Sequence, residues 1–154
     1  MSVERPAIRR ACLADQRIVI SILEEYYDAA HVVLRDDTAA IHDYLAGRGA
    51  LWAAQLAAGI VGCIALRPLD MAGASACEVK RLYVRAAYRG RGIADALHEA
   101  LEAHARTAGF GWIYLDTADG MRAAIKFYAR HGYEPCERYN DNPQATLFMR
   151  KRLH

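Results

Sequence analysis

Residues 78–108 read EVKRLYVRAAYRGRGIADALHEALEAHARTA, and the fold turns on how this stretch is read. Val79 to Val84 is an extended apolar segment that runs into a basic, glycine-bearing turn from Tyr88 to Gly92. After the turn Ile93, Leu97, Ala100, Leu101, His104 and Ala108 recur at helical spacing, with Asp95, Glu99, Glu102 and Arg106 elsewhere on the helix surface. A strand, a glycine turn and a helix in this order can hold an anion. The first N–H groups of a helix have no acceptor within it, and the helix dipole adds partial positive charge there. Gly90 and Gly92 lack a Cβ and admit close approach to the backbone, while Arg89 and Arg91 add two charges. Together these features describe a pocket for a phosphate or pyrophosphate.

The common nucleotide patterns fit poorly. The P-loop spacing, which ends in Gly-Lys-Ser/Thr, is absent. Read as a dinucleotide fingerprint, the turn places Asp95 where a small residue is needed, and a carboxylate there would face the phosphate. Arg89-Gly90-Arg91-Gly92-Ile93-Ala94 instead matches Arg/Gln-x-x-Gly-x-Gly/Ala, and so resembles the acyl-CoA pyrophosphate loop of the GNAT superfamily of N-acetyltransferases. Lys80-Arg81-Leu82-Tyr83-Val84 resembles that family's central strand. Ala124-Ile125-Lys126-Phe127-Tyr128-Ala129-Arg130-His131-Gly132-Tyr133 resembles its Ala-x-x-x-Tyr-x-x-x-Gly-Phe/Tyr signature. The resemblance is strongest over residues 76–139. It departs from the family at Met121, seven residues before the helix tyrosine, where many members carry a cofactor-holding asparagine.

At 154 residues the chain is expected to form a single domain, 1–154, with a real core. Hydrophobic residues make up 54% and charged residues 25%, ordinary for a soluble globular protein, and no apolar run reaches the ~20 residues of a membrane span. Met1 to Arg10 holds no apolar signal core, so a cytoplasmic protein is expected. Cysteines 12, 63, 77 and 136 have neither Cys-x-x-Cys nor zinc-ligand spacing; they read as free buried thiols in or beside strands, with no metal site. The net charge of +2 is too small to argue for nucleic acid, and no basic stripe or nucleic-acid motif accompanies the Arg89–Arg91 turn. Residues 1–50 carry six Arg against eight Asp/Glu, whereas residues 76–154 carry thirteen Lys/Arg against nine. A basic half suits a phosphorylated cofactor, and an acidic half would suit a cationic acceptor or be plain solvated surface.

Along the chain, Pro6 to Cys12 reads as a strand, and Asp15 opens a helix whose apolar face is Ile18, Val19, Ile22, Leu23, Tyr26 and Tyr27. A second helix spans Thr38 to Ala46, with Ile41, Tyr44 and Leu45 inward, and Gly47-Arg48-Gly49 stops it. Leu51–Ala57 and Ile60–Leu66 form a hairpin around Ala58-Gly59, and Arg67 to Ala74 reads as a loop. In the next strand Val79 has one parity and Leu82 and Val84 the other, which predicts a β-bulge at Lys80 or Arg81; a strand buried on both faces is the alternative. Trp112 to Leu115 is a buried parallel strand that completes a β-α-β unit, and Asp116 to Gly120 is a loop at its C-terminal end. A helix covers Met121 to Arg130. Tyr133 to Tyr139 is a strand that Pro135 confines to an edge or a bulge, Asn140 to Pro143 is a turn, Thr146 to Lys151 is the last strand and Lys151 to His154 a frayed tail. With the resemblance, this order implies a mixed α/β (α+β) fold: a mostly antiparallel six- to seven-stranded sheet, about four flanking helices and a central β-α-β cofactor unit. An exposed final strand would be a natural homodimer edge.

The resemblance implies acetyl-CoA as co-substrate and a primary amine as acceptor, on a small molecule, an amino acid or a peptide. The cofactor residues would be Leu82, Tyr83, Val84, Arg89, Gly90, Arg91, Gly92, Ile93, Ala94 and Asp95, with a backbone N–H between Leu82 and Val84 as oxyanion donor. Tyr128 would be the general acid for the thiolate, since a phenol with a pKa near ~10 keeps its proton at neutral pH. Glu78, ahead of the bulge, is the candidate base, with Glu24, Glu25, Asp116 and His131 as rivals. The acceptor side would involve the first two helices, the Arg67–Ala74 loop and Tyr139 to Pro143, with Glu24, Glu25, Tyr26 and Tyr27 lining it. The competing reading is a non-catalytic acyl-CoA-binding or regulatory module of the same fold. The six histidines form no cluster and read as structural or surface residues.

Overall fold

The computed structural model describes residues 4–33, 35–71 and 73–154. In chain order the elements are β1 (Ala7–Arg10), α1 (Gln16–Ala29), α2 (Thr38–Ala46), β2 (Ala50–Leu56), β3 (Gly59–Met71), β4 (Ala74–Val84), α3 (Ile93–Thr107), β5 (Trp112–Thr117), α4 (Arg122–Arg130), β6 (Glu134–Cys136) and β7 (Leu147–Arg152), with single 3-10 turns at Leu13–Asp15 and Ala86–Tyr88. The seven strands hydrogen-bond in the order β1-β2-β3-β4-β5-β7-β6. The β4–β5 pair is parallel, and the β1–β2, β2–β3, β5–β7 and β6–β7 pairs are antiparallel. The fold is therefore the expected mixed α+β type, with seven strands and four helices among the described residues. No helix among the described residues is long and apolar enough to cross a membrane.

The chain divides into two compact units. One comprises the chain up to Pro68 together with Val79–His104, and the other Leu69–Glu78 together with Ala105–His154. In the first unit, Val19, Ile22, Leu23 and Tyr27 of α1 and Ile41 and Tyr44 of α2 join Leu51, Ile60 and Cys63 in one buried cluster. The helical spacing named this face well, except that Ile18 is 39% exposed. Asp15 ties the entry to α1. Its carboxylate accepts both guanidinium nitrogens of Arg9 at 2.8 and 2.9 Å and the Cys12 N–H at 2.9 Å. Asp37 caps α2 by accepting from the Ala40 N–H at 2.8 Å.

Strand β4 departs from regular strand geometry at Arg81, one of the two positions where the parity break places a bulge. Arg81 sits in the strand at φ 59°, a left-handed conformation unusual for a residue with a side chain. Three contacts hold it there. Its guanidinium donates to both carboxylate oxygens of Asp36 at 2.8 and 3.1 Å, lies 5.6 and 5.4 Å from the ring centres of Tyr26 and Tyr27, and its carbonyl accepts from the Cys63 thiol at 3.4 Å. Tyr27 completes the network by donating its hydroxyl to Asp36 at 2.7 Å. On the neighbouring strand Gly62 is required by space, because any Cβ there would stand 2.9 Å from the Tyr83 carbonyl oxygen.

In the second unit, β5 and β7 pair along their full length and β6 adds a short edge. Ile113, Leu115, Met149 and Leu153 are buried here.

Several expectations need correction. Arg67 to Ala74 is not a loop: β3 continues through Met71 and β4 starts at Ala74, so the pair of strands runs through Pro68. Ala72, which fell in that reading, lies outside the described residues, as do residues 1–3 of the N-terminal segment. The strand expected from Tyr133 to Tyr139 is only Glu134–Cys136, with Pro135 at the sheet edge as its missing N–H requires. The last strand is not an edge, since β7 lies between β5 and β6. Nor does the chain fray at Lys151. Arg152 pairs with Trp112, and the Leu153 N–H reaches the Gly111 carbonyl at 2.9 Å. Asp116 and Thr117 extend β5 rather than beginning a loop. Among the cysteines, Cys63 and Cys77 are buried, whereas Cys136 is half-buried and Cys12 exposed beyond the end of β1.

Burial pushes the Asp36 carboxyl up, but hydrogen bonds and charge from Arg81, with the Tyr27 hydroxyl, outweigh it and hold the group below the usual carboxylate range. A depressed folded-state pKa adds stability that is present above the unfolded value near ~3.9 and is lost as pH falls through the folded one. Asp36→Asn is therefore expected to cost about 3 kcal/mol in urea unfolding at neutral pH and to reduce the loss of stability below about pH 4. Asp28→Asn is expected to leave unfolding unchanged, because its Arg35 pair is 47% and 75% exposed.

Candidate active site

The predicted anion turn lies in the first unit. Gly90 and Gly92 adopt φ 75° and 77°, so the turn needs glycine for its backbone conformation. A Cβ on either would meet nothing within 4 Å, which leaves the approach to the turn open. The first bond within α3 runs from the Ala96 N–H to the Gly92 carbonyl at 3.1 Å. The N–H groups of Ile93, Ala94 and Asp95 thus precede the first helical donor, the arrangement a pyrophosphate exploits. Arg89 and Arg91 are exposed beside them. Arg89 donates its Nε to the Val84 carbonyl at 2.9 Å and lies 5.8 Å from the Tyr83 ring centre, and Arg91 lies 5.3 Å from that of Tyr88. Both cations are steered by the end of β4 and the 3-10 turn after it. Leu82 and Tyr83 are half-buried and Val84 is buried, just beyond the Arg81 irregularity. The donor set fits a phosphate-bearing cofactor: the N–H groups of a helix's first turn, two left-handed glycines and two guanidinium groups.

Glu78 and Tyr128 lie in the second unit. Glu78 is fully buried on β4. Its Oε2 accepts the Tyr139 hydroxyl at 2.5 Å and the Asn140 side-chain amide at 3.3 Å. The same amide donates to Asp116 Oδ2 at 2.6 Å, and the Asn142 amide reaches that oxygen at 3.3 Å. Two carboxylates from neighbouring parallel strands are therefore bridged by one asparagine. Burial first, then the charge of Glu78 and its hydrogen bond, drive the Tyr139 hydroxyl far above the usual tyrosine range, so it is a fixed donor. Tyr128 is buried on α4, its ring 5.2 Å from those of Phe127 and Tyr133. Met121, at the N-cap of α4, makes no capping hydrogen bond.

The rival bases are placed as well. Glu25 is bound by Arg85, with nitrogen–oxygen distances from 2.6 to 3.2 Å, and Glu24 is exposed. His131 ends α4 against Phe127 at 4.5 Å. Tyr27 does not line an open acceptor side as expected, because it is buried and spends its hydroxyl on Asp36. Sequence reading missed Tyr139, Asn140 and Asn142 as partners of Glu78 and Asp116. The one available signal was two asparagines either side of Asp141. Each side-chain oxygen accepts a backbone N–H two residues on, at 3.1 Å, which turns the amide nitrogens toward the carboxylates.

A family model described as Acetyltransferase (GNAT) domain matches residues 47–135. An uncharacterised N-acetyltransferase of Schizosaccharomyces pombe is 34% identical over 91 residues, covering 58% of this chain and 55% of that protein, so the match spans about half of that relative. An uncharacterised N-acetyltransferase of Escherichia coli is 27% identical over 139 residues, covering 85% of this chain and 83% of that protein. Among solved structures, a GNAT-family acetyltransferase of Staphylococcus aureus superposes with a TM-score of 0.83 over 97% of this chain and 99% of that one, at 22% identity, a likeness of fold. The family match takes in more than half of the chain, including the Arg89–Ala94 turn and the Tyr128 helix, and the chain belongs to the GNAT acetyltransferase family.

Proposed function

We propose that the chain transfers the acetyl group of acetyl-CoA to a primary amine of a small molecule, an amino acid or a peptide by direct attack. The observation that carries this reading is the turn at Arg89–Gly92. Its left-handed glycines open a fifteen-residue helix, and two exposed arginines flank them. The N–H groups of Ile93, Ala94 and Asp95, with Arg89 and Arg91, would bind the pyrophosphate. Backbone groups of Leu82, Tyr83 and Val84 would bind the arm that carries the thioester, and an N–H among them would donate to the carbonyl oxygen as charge develops on it.

The amine nitrogen forms a bond to the thioester carbon and the carbon–sulfur bond breaks. The amine's surplus proton passes to Glu78, directly or through water, and Tyr128 gives its proton to the departing thiolate. The second reading, an acyl-CoA-binding module without turnover, is favoured by Met121 standing where many family members carry asparagine.

Thiol release from acetyl-CoA across a panel of amines, amino acids and short peptides decides between the two. A rate well above hydrolysis supports the enzyme; cofactor binding without thiol release supports the module. Tyr128→Phe is expected to lower kcat about a hundredfold, with acetyl-CoA affinity unchanged. An equal fall in affinity would instead make Tyr128 part of the binding surface. Gly92→Ala must place a side chain at φ 77° and is expected to weaken acetyl-CoA binding about tenfold by titration calorimetry, through roughly 1–2 kcal/mol of strain relieved by distorting the turn. Undiminished binding would remove the turn from the cofactor site.

A further inference from the structure

A fully buried carboxylate is driven toward its neutral form unless donors hold the charge. Glu78 meets this constraint through the segment between β6 and β7, far away in sequence. Tyr139 and Asn140 supply donors to the same oxygen, Oε2, at 2.5 and 3.3 Å.

The segment is built to stay in place. Arg138 donates to the carbonyls of Asn140, Asn142 and Ala145 at 3.0 to 3.3 Å and stacks 4.6 Å from the Phe148 ring centre. The Tyr139 ring packs between Tyr114 at 5.0 Å and Phe148 at 5.5 Å. The Thr146 N–H closes the segment onto the Thr117 carbonyl at 2.9 Å. Such anchoring exceeds what a surface connection requires, and what it aims is one hydroxyl and one amide.

We propose that Tyr139 and Asn140 are positioning residues that fix the orientation of the Glu78 carboxylate, so that the β6–β7 segment completes the base that β4 begins. The inference rests on the reading of Glu78 as base in the proposed reaction. The titratable groups around the carboxylate are Tyr139, Asp116 and Tyr114 of β5, and its neighbour Cys77. Asp116 is a second negative charge, so the Asn140 amide also separates two like charges. Burial pushes the Cys77 thiol up to about 12, so it stays neutral and adds no charge.

The test uses Tyr139→Phe, which keeps the ring and its packing, and Asn140→Ala. Difference infrared spectra against Glu78→Gln isolate the Glu78 carboxylate band without any acceptor. In Tyr139→Phe the band is expected to shift in frequency, because the shorter of these two hydrogen bonds to the carboxylate is lost, and in Asn140→Ala to shift by a smaller step. Thiol release, with acetyl-CoA and the most active amine of the panel, is expected to fall about tenfold in Tyr139→Phe. Acetyl-CoA affinity is expected to hold. A band at the same frequency in the parent and both variants overturns the positioning role. Glu78→Gln with full turnover overturns the base assignment itself, and the infrared comparison tells the two failures apart. Should Tyr139→Phe fail to fold, the Asn140→Ala band decides alone.

Discussion

Arg81 holds a left-handed backbone conformation inside a β-strand, and the shape of β4 depends on what keeps it there. Such a conformation costs a side-chain-bearing residue about 1–2 kcal/mol. The ion pair with Asp36 offsets that cost. It is two-pronged, the side chains are 11% and 9% exposed, and removing one partner of a buried pair typically costs about 3–5 kcal/mol. The pair therefore outweighs the strain. The consequence is visible along the strand. Ala76 to Val79 are all buried, whereas Lys80 to Tyr83 are half-buried, so the alternation of an ordinary strand is gone. The neighbouring strand conforms, with a thiol donated to the Arg81 carbonyl and a glycine opposite the Tyr83 carbonyl.

The second constraint is the buried charge at Glu78, three residues before Arg81 in sequence. A carboxylate with no exposed surface needs donors of good geometry, and here they come from one short segment of side chains. The exposed ion pair Arg35–Asp28 has comparable distances and carries no such consequence, because water serves either partner equally well. Burial, more than distance, separates the two cases.

The parts of the protein legible in the sequence are those that repeat or that restrict the backbone. Thr38–Ala46 was placed to the residue because its apolar spacing and its glycine stop agree. The irregularity in β4 was legible because a parity break has a period of two to violate. The turn was legible because a left-handed backbone favours glycine, and its two glycines are in that conformation. Arg67–Ala74 misled because Pro68 and Gly73 look like loop residues, whereas the strand carries Pro68 and Gly73 falls just beyond Met71. The tail misled because three charged or polar residues read as solvated, while Leu153 between them is buried and its N–H bonded to Gly111. Tyr139 and Asn140 were legible only as part of the acceptor side, and their bonds to Glu78, like that of Asp36 to Arg81, were not. Side-chain hydrogen bonds between segments have no period, and 45 and 61 residues separate Asp36 from Arg81 and Glu78 from Tyr139.

These two tethers have the same form. In each unit an irregular connection is bound to a charged residue of β4: the α1–α2 connection through Asp36 on Arg81, and the β6–β7 connection through Tyr139 and Asn140 on Glu78. Connections between elements tolerate change in sequence more readily than the sheet they join. A variable segment must still be held to about an ångström if it is to aid a reaction. Charge-assisted bonds to one strand serve this end, and in the β6–β7 connection the bonds of Arg138 extend the hold to the residues beside them.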